Sequence, residues 1–247
     1  MGMTFDEYIK NPMGVKNAVF SQRELYKALY QKKFDAVMLR EKGVFSYRLY
    51  KDSKNYYIHI KIPSEVVEKF YYDVVIKFTP KDVSIKSLDK CKVQFFSNDP
   101  MFVFTFAHAF KTNDMLFTDL NPKMSKQALK KTASERNPKD EIGYVKSLYF
   151  AYLYMKQKNL FAKIQYVGAD KYNKKNLLSV VMDADTKIDL RQEEGEKLRK
   201  AKKKERQQVE TRKITSSANK MVTKTVKKTG KIGKTSSVGR VKHSKRF

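Results

Sequence analysis

The sequence predicts an α+β protein: an antiparallel sheet of about five strands packed with helices, followed by a charged helical stalk and a disordered basic C-terminal tail. Three observations support this fold class. Apolar residues alternate with polar ones in several segments between residues 35 and 96, helix-start signals flank that region, and apolar residues become sparse after residue 185. We therefore expect a globular domain over residues 1–185, a stalk over 186–210 and a tail over 211–247.

Two helices are expected before the sheet. Thr4 with Glu7, and Ser21 with Glu24, have the spacing of a capping box, in which a hydroxyl and a carboxylate satisfy free amides of the first helical turn. These pairs predict a short helix near residues 5–10 and a longer one near residues 22–33.

Five segments have the composition and alternation of strands, and residues 177–182 are expected to return to the sheet. A turn at Glu41-Lys42-Gly43 makes a hairpin of the first two strands, while Pro63 and Pro80 end the third and fourth. The predicted strands are residues 35–40, 45–50, 56–62, 72–78 and 92–96.

Two further helices are expected after these strands. Asp99 followed by Pro100 is a strong helix start, so residues 101–110 are predicted as a buried helix although their phenylalanines also fit a strand. After a polar, lysine-rich connection over residues 112–138, a helix runs from Asn137 to about Lys158. It is apolar almost all round, which indicates burial on more than one side.

The tail is a polycation without an acidic residue, and its isolated aliphatic residues are too few to form a core. Such a chain gains free energy by displacing counterions from a polyanion, so nucleic acid is the expected partner, with DNA favoured over RNA. An acidic protein, an anionic membrane surface and simple solvation are the alternatives. The predicted nucleic-acid-binding residues are Arg212, Lys213, Lys220, Lys224, Lys227, Lys228, Lys231, Lys234, Arg240, Lys242, Lys245 and Arg246.

Net charge and cysteine content constrain partner and compartment. The formal net charge is +27, and residues 1–190 alone hold 33 Lys or Arg against 21 Asp or Glu, so tail and body could share one polyanion. Cys91 is the only cysteine, which rules out an intramolecular disulfide and suggests a reducing compartment. With no secretory leader and no apolar run near 18 residues, we expect a cytoplasmic protein without a membrane partner.

Cofactor and metal motifs are weak. Gly233-Lys234-Thr235 has the closing triplet of a P-loop, but Lys228 stands where the motif needs glycine, and no strand precedes it. His59 and His108, with His243 and Cys91, match no zinc spacing, so no metal and no cofactor are expected. We interpret His59 as a half-exposed sheet residue and His108 as a hydrogen-bonded core residue.

Two further routes to nucleic acid remain open in the body. A metal-dependent nuclease would need converging carboxylates, for which only Asp35, Glu41 and Asp73, with Lys61 nearby, are available in or beside the sheet. A base-stacking surface is the other route, since tyrosines alternate with cations on two neighbouring strands. Its residues are Tyr47, Tyr50, Tyr56 and Tyr57, near Arg48, Lys51, Lys54 and Lys61.

Two body segments, Asn98-Asp99-Pro100-Met101-Phe102-Val103-Phe104 and Gly143-Tyr144-Val145-Lys146-Ser147-Leu148-Tyr149-Phe150-Ala151-Tyr152, together with the lysine-rich tail, resemble uncharacterised bacteriophage-encoded proteins. The resemblance covers residues 1–170 and implies a virion-associated or replication-associated role, in the host cytoplasm or the virion. Our leading hypothesis is a non-enzymatic accessory or structural protein of a nucleoprotein assembly, which contacts phosphates without reading sequence. Virion or other assembly proteins are its further expected partners. The alternative is a nucleic-acid-processing enzyme, such as a metal-dependent nuclease, tethered to its substrate by the tail.

Overall fold

The computed structural model describes residues 2–10, 20–40, 45–65, 67, 69–82, 84–133 and 135–232, and for residues 20–25, 40 and 213–232 it describes the backbone alone. The chain forms two compact units, Met1–Glu194 and Gly195–Phe247. The first unit contains the sheet and the core, and the second contains most of the last helix.

The described residues contain six α-helices and five strands, together with three short 3₁₀ helices, which are Leu88–Lys90, Thr118–Lys123 and Lys163–Tyr166. The helices are α1 (Phe5–Lys10), α2 (Phe20–Arg40), α3 (Ala107–Thr112), α4 (Lys146–Gln157), α5 (Lys174–Val180) and α6 (Ala184–Ile232). The strands are β1 (Ser46–Lys51), β2 (Tyr56–Pro63), β3 (Tyr71–Thr79), β4 (Lys92–Ser97) and β5 (Asp170–Lys171). A π-helical turn, Phe102–Phe106, leads directly into α3.

The five strands form one sheet in the order β4-β3-β2-β1-β5. Strands β1 to β4 are antiparallel, but β5 pairs in parallel with β1, so the α+β class is confirmed and the purely antiparallel sheet is wrong. The parallel pairing joins only Tyr50 to Asp170 and Lys51 to Lys171. A strand of two residues has no periodicity, which is why the sequence did not reveal it.

The predicted strand over residues 35–40 is wrong, because α2 continues through Arg40. Tyr30, Phe34 and Val37 are spaced four and three residues apart, and all three are buried in the core. That spacing puts them on one side of a helix, and this outweighs the short alternation of Val37 with Leu39, which is 76% exposed. The predicted hairpin is therefore absent from the described residues, and its turn residues lie outside them.

Two other segments differ from the expectation, one in the type of element and one in where its helix begins. Residues 177–182 do not return to the sheet, because α5 occupies Lys174–Val180, with Asn173 capping it by accepting hydrogen bonds from the amides of Lys175 and Asn176. Helix α4 begins at Lys146 rather than near residue 137. Instead, Asn137 holds a turn, its Oδ1 accepting from the amide of Glu141 at 3.0 Å.

Helix α4 lies at the centre of the aromatic core, as its apolar surface predicted. Its Phe150 contacts Phe34 of α2 edge to face at 5.6 Å, and its Tyr152 contacts Phe5 of α1 at 5.2 Å. The helix also packs on β2 and β3. Such buried aromatic pairs each add about 1 kcal/mol beyond the area they bury, so α4 joins the helices to the sheet.

Of the three predicted helix starts that the structure describes with side chains, those at Thr4 and Asp99 are confirmed and the one at Asn137 is wrong. The Thr4 amide donates to Glu7 Oε2 at 2.8 Å, and the Glu7 amide donates to Thr4 Oγ1 at 3.2 Å, which is the reciprocal capping box. Asp99 Oδ1 accepts from the Met101 amide at 3.0 Å, so residues 101–110 are helical as expected.

Candidate nucleic-acid interface

The first turns of α6 belong to the folded core of the first unit. Asp183 caps the helix, its Oδ1 accepting from the Thr186 amide at 2.8 Å and its Oδ2 from the Thr186 hydroxyl at 2.7 Å. Burial alone would raise the pKa of Asp183, but these hydrogen bonds outweigh it and hold the pKa below its usual value. Ala184 and Ile188 are buried, so the helix starts from a fixed base.

In the second unit, α6 continues to Ile232 and contains no proline. Residues 211–232 were expected to be disordered because they cannot form a core. A helix satisfies its backbone hydrogen bonds internally, and the Lys, Arg, Met and Ala residues of this segment favour helix. The helical stalk expected over residues 186–210 is therefore the first part of a longer helix, and residues 233–247 lie outside the described residues.

The helical backbone places on one face several sequence positions of Lys and Arg that look scattered in the sequence. Eight of them recur at intervals of three, four or seven residues, which is the repeat of one helix face. We call this set the cationic stripe, and it consists of Arg199, Lys202, Arg206, Lys213, Lys220, Lys224, Lys227 and Lys231.

The stripe is narrow and long. With a rotation of about 100° per residue, its eight positions fall within an arc of roughly 80°. With a rise of about 1.5 Å per residue, they extend over roughly 48 Å of helix axis. Val209 is the one apolar residue within the arc. Residues 199, 202 and 206 are exposed.

Across residues 195–232 there are fourteen Lys or Arg and only three Asp or Glu, so the helix carries a large uncompensated charge. The ion pair of Lys200 with Glu196, 3.9 Å apart, offsets little of it, because both side chains are mostly exposed to water. A row of cations with this excess charge is suited to a linear polyanion.

The predicted binding residues divide into three sets. Five lie on the stripe, which are Lys213, Lys220, Lys224, Lys227 and Lys231. Arg212 and Lys228 lie on α6 outside it. The other five, Lys234, Arg240, Lys242, Lys245 and Arg246, lie outside the described residues, as does the P-loop-like triplet at 233–235. Sequence reasoning missed Arg199, Lys202 and Arg206, although the same three- and four-residue spacing could have revealed them.

The proposed base-stacking group does not form one exposed surface. Tyr50 and Tyr57 are buried, and Tyr57 already stacks on Tyr172 with ring centroids 3.9 Å apart. Tyr47 is 42% exposed, but it is register partner to Ile60 and therefore lies on the face opposite to Tyr57. Neighbouring strands thus send these rings to two faces, and both faces are largely covered.

The residues considered for a nuclease site are also separated. Asp73 is buried in a hydrogen bond with His59, Asp35 accepts from Gln31 on the exposed side of α2, and Glu41 lies outside the described residues. Lys61 is the register partner of Asp73 on β2. Within the described ranges, no three His, Cys, Asp or Glu side chains converge so as to hold a metal ion.

The two histidines differ from their interpretation. His59 was expected to be half exposed, but it is only 4% exposed and pairs with Asp73. His108 is hydrogen-bonded as expected, with Nδ1 2.7 Å from Asp140 Oδ2, but it lies at the surface rather than in the core, its side chain being 23% exposed.

In the part of the chain that the structure describes, no helix combines the length and the apolar character needed to cross a bilayer. Comparison with known proteins finds no matching family model, no matching curated protein and no matching solved structure.

Proposed function

We propose that this protein binds nucleic acid, DNA in the first place, along the cationic stripe of α6 and without reading base sequence. It acts as a non-enzymatic accessory or structural component of a nucleoprotein assembly, such as the phage particle that the resemblance of its sequence implies. The observation that carries this proposal is the alignment of eight cations on one face of α6.

The physical argument is counterion release. Each cation that neutralises a phosphate frees a condensed counterion, so affinity falls with salt at a slope of about −0.9 per phosphate. If about six of the eight stripe residues engage phosphates, affinity should fall by about a thousandfold between 50 and 200 mM salt. Contacts to phosphates alone orient the protein on the duplex but contain no sequence information.

Two variants with equal charge separate the stripe from charge in general. The stripe variant combines Arg206→Gln, Lys213→Gln, Lys220→Gln and Lys224→Gln. The control combines Lys197→Gln, Lys200→Gln, Lys204→Gln and Arg212→Gln, which lie on α6 outside the stripe. Glutamine keeps helix propensity close to that of Lys and Arg, so far-UV circular dichroism should match for both.

Binding is measured by fluorescence anisotropy with two labelled duplexes of unrelated sequence over a series of salt concentrations. We expect equal affinity for the two duplexes, and a salt slope that decreases by about 3.6 in the stripe variant and much less in the control. Equal losses in both variants would assign binding to total charge. No binding by the full chain at low salt would refute the proposal.

A further inference from the structure

A cleft of about 210 Å³ opens in the first unit where the π-helical turn meets the basic connection before α4. The π-helical turn and α3 supply one wall, and residues 127–133 supply the other. Its polar lining consists of Thr105, His108, Gln127, Lys131 and Thr132. All residues that line this cleft belong to the first unit, whereas the residues of the cationic stripe belong to the second.

One imidazole in the cleft is held in a defined orientation. His108 Nδ1 lies 2.7 Å from Asp140 Oδ2, and because a carboxylate only accepts, Nδ1 carries the proton. Nε2 is therefore the ring nitrogen left to meet a ligand. It accepts a hydrogen bond when the ring is neutral and donates one when the ring is protonated.

The turn that carries Asp140 is built around this contact. Asp140 has a left-handed backbone, with φ of 51°, which is uncommon for a residue other than glycine. Asn137 holds the turn against the π-helical turn, since its Nδ2 donates to the Thr105 carbonyl at 3.1 Å and to the Glu141 carbonyl at 2.8 Å. The Thr112 hydroxyl also donates to Asp140 Oδ2. The His108–Asp140 pair is thus fixed from two sides.

The rim of the cleft combines an aromatic face with cations. Phe104 lines the cleft and is 42% exposed, although its neighbours Phe102 and Val103 are fully buried. On the other side of Phe104 a second hollow is lined by Ala133, Glu135 and Arg136. An exposed ring beside Lys131 and near Arg136 has the combination that unpaired bases and their phosphates use, stacking with charge neutralisation.

We propose that this cleft binds one unpaired nucleotide, with the base against Phe104, the phosphate held by Lys131, and His108 Nε2 hydrogen-bonded to the sugar or phosphate. Thr105, Gln127 and Thr132 offer hydrogen bonds to the edges of the base. The site does not require the stripe to bind nucleic acid, since its groups all belong to the first unit.

The test uses the full chain with labelled histidine, because the sequence contains only three histidines and the His108 ring signal is assigned by its loss in His108→Asn. AMP, adenosine and inorganic phosphate are titrated separately to millimolar concentration. We expect AMP to move the His108 signal to saturation while the buried His59 signal stays in place. AMP should bind more tightly than phosphate or adenosine alone.

Three single variants assign the contacts. Phe104→Leu should weaken AMP binding by about tenfold and leave phosphate binding unchanged, since stacking requires an aromatic ring. Lys131→Gln should weaken both AMP and phosphate, whereas the control Lys126→Gln, an exposed lysine outside the lining, should change neither.

An unmoved His108 signal, or phosphate binding as tightly as AMP, would overturn the nucleotide assignment. AMP binding that is unaffected by Phe104→Leu would do the same. The stripe variant should retain AMP binding, so a failure of this site and a failure of the stripe are observed independently. A single-stranded oligonucleotide is then added to the stripe variant in the presence of AMP. If the site accepts a nucleotide within a strand, the oligonucleotide displaces AMP; if the site accepts only a free nucleotide, AMP stays bound.

Discussion

His59 Nε2 lies 2.8 Å from Asp73 Oδ1, between adjacent strands of the sheet, and both residues are almost fully buried. Asn98 completes the arrangement. Its Nδ2 donates to Asp73 Oδ2 at 2.9 Å and to the Met182 carbonyl at 3.2 Å, while its Oδ1 accepts from the Asp73 amide at 2.8 Å. This network connects β2 and β3 to the segment that leads into α6, so it determines how the base of α6 is attached to the sheet.

Replacing Asp73 with Asn should lower the free energy of unfolding by about 2 kcal/mol, because it removes the carboxylate that is hydrogen-bonded to the buried ring of His59 and to Asn98. Urea unfolding at neutral pH, followed by circular dichroism, measures the loss. Asp35→Asn is the matched control, since Asp35 is exposed and the change should stay within about 0.5 kcal/mol. Equal stability of both variants would show that the pair contributes nothing.

The same carboxylate should make the protein sensitive to acid. Burial raises the pKa of Asp73, but the hydrogen bonds and charges of its neighbours, His59 first among them, outweigh burial and hold the pKa below its usual value. A depressed pKa means that the stabilisation is present above the unfolded value of about 3.9 and is lost as pH falls through the folded value. Burial also raises the pKa of Glu65, but the hydrogen bonds and charges of Lys146 and Lys33 outweigh burial and hold that pKa below its usual value.

We therefore expect the urea midpoint of the parent protein to decrease as pH falls from about 5 to about 2.5, and the midpoint of Asp73→Asn to decrease less over the same range. The two curves should converge at the acid end. Parallel curves would mean that Asp73 is not the group responsible.

The sheet could be predicted in part, because its signal is local. Ile58, Ile60 and Ile62 alternate without interruption, and β2 was placed within one residue of its observed end. The signals that failed were short or mixed: the two residues of β5 have no period, and Val37 with Leu39 imitates a strand at the end of α2. Where an alternation and a helical repeat overlap, packing against the core decides between them.

The candidate sites were less accessible from sequence, for two different reasons. The stripe is present in the sequence as a spacing pattern, but charged residues that cannot form a core predict an unstructured segment rather than a helix face. The pairing of His108 with Asp140 joins residues 32 positions apart. It depends on the turn at Asn137 and on the π-helical turn together, and no local pattern specifies that combination.

Buried tyrosines should couple ionisation to unfolding at alkaline pH. Burial raises the pKa of Tyr30 and of Tyr72 to about 12, and it also raises the pKa of Tyr8 and Tyr166 above the ordinary value. A raised pKa means that stabilisation is present below the unfolded value of about 10 and is lost as pH rises through the folded value.

Tyrosinate absorbance near 295 nm gives a direct measurement, because the chain has fifteen Tyr and no Trp. We expect the last part of the absorbance increase to coincide with loss of the far-UV circular dichroism signal. In denaturant, all tyrosines should ionise in one step near pH 10. Complete ionisation of the native protein without loss of helical signal would contradict this prediction.

Truncation tests whether the base of α6, but not the rest of it, belongs to the fold. Residues 195–247 form a separate compact unit, whereas Ala184 and Ile188 are buried in the first unit and Lys187 lies over the Phe70 ring at 4.2 Å. A chain ending at Glu210 should keep the melting temperature of the full chain. It should lose most of its salt-dependent DNA affinity, since five of the eight stripe residues lie beyond that point.

A chain ending at Asp183 should instead melt several degrees lower, because burying Ile188 alone is worth about 2 kcal/mol. Thermal unfolding of the two truncated proteins and the full chain, followed by circular dichroism, compares them directly. If the chain ending at Glu210 kept full DNA affinity, binding would belong to the first unit, whose own excess of Lys and Arg would then be the interface. If the chain ending at Glu210 melted at a lower temperature than the full chain, the part of α6 beyond Glu210 would have to stabilise the fold.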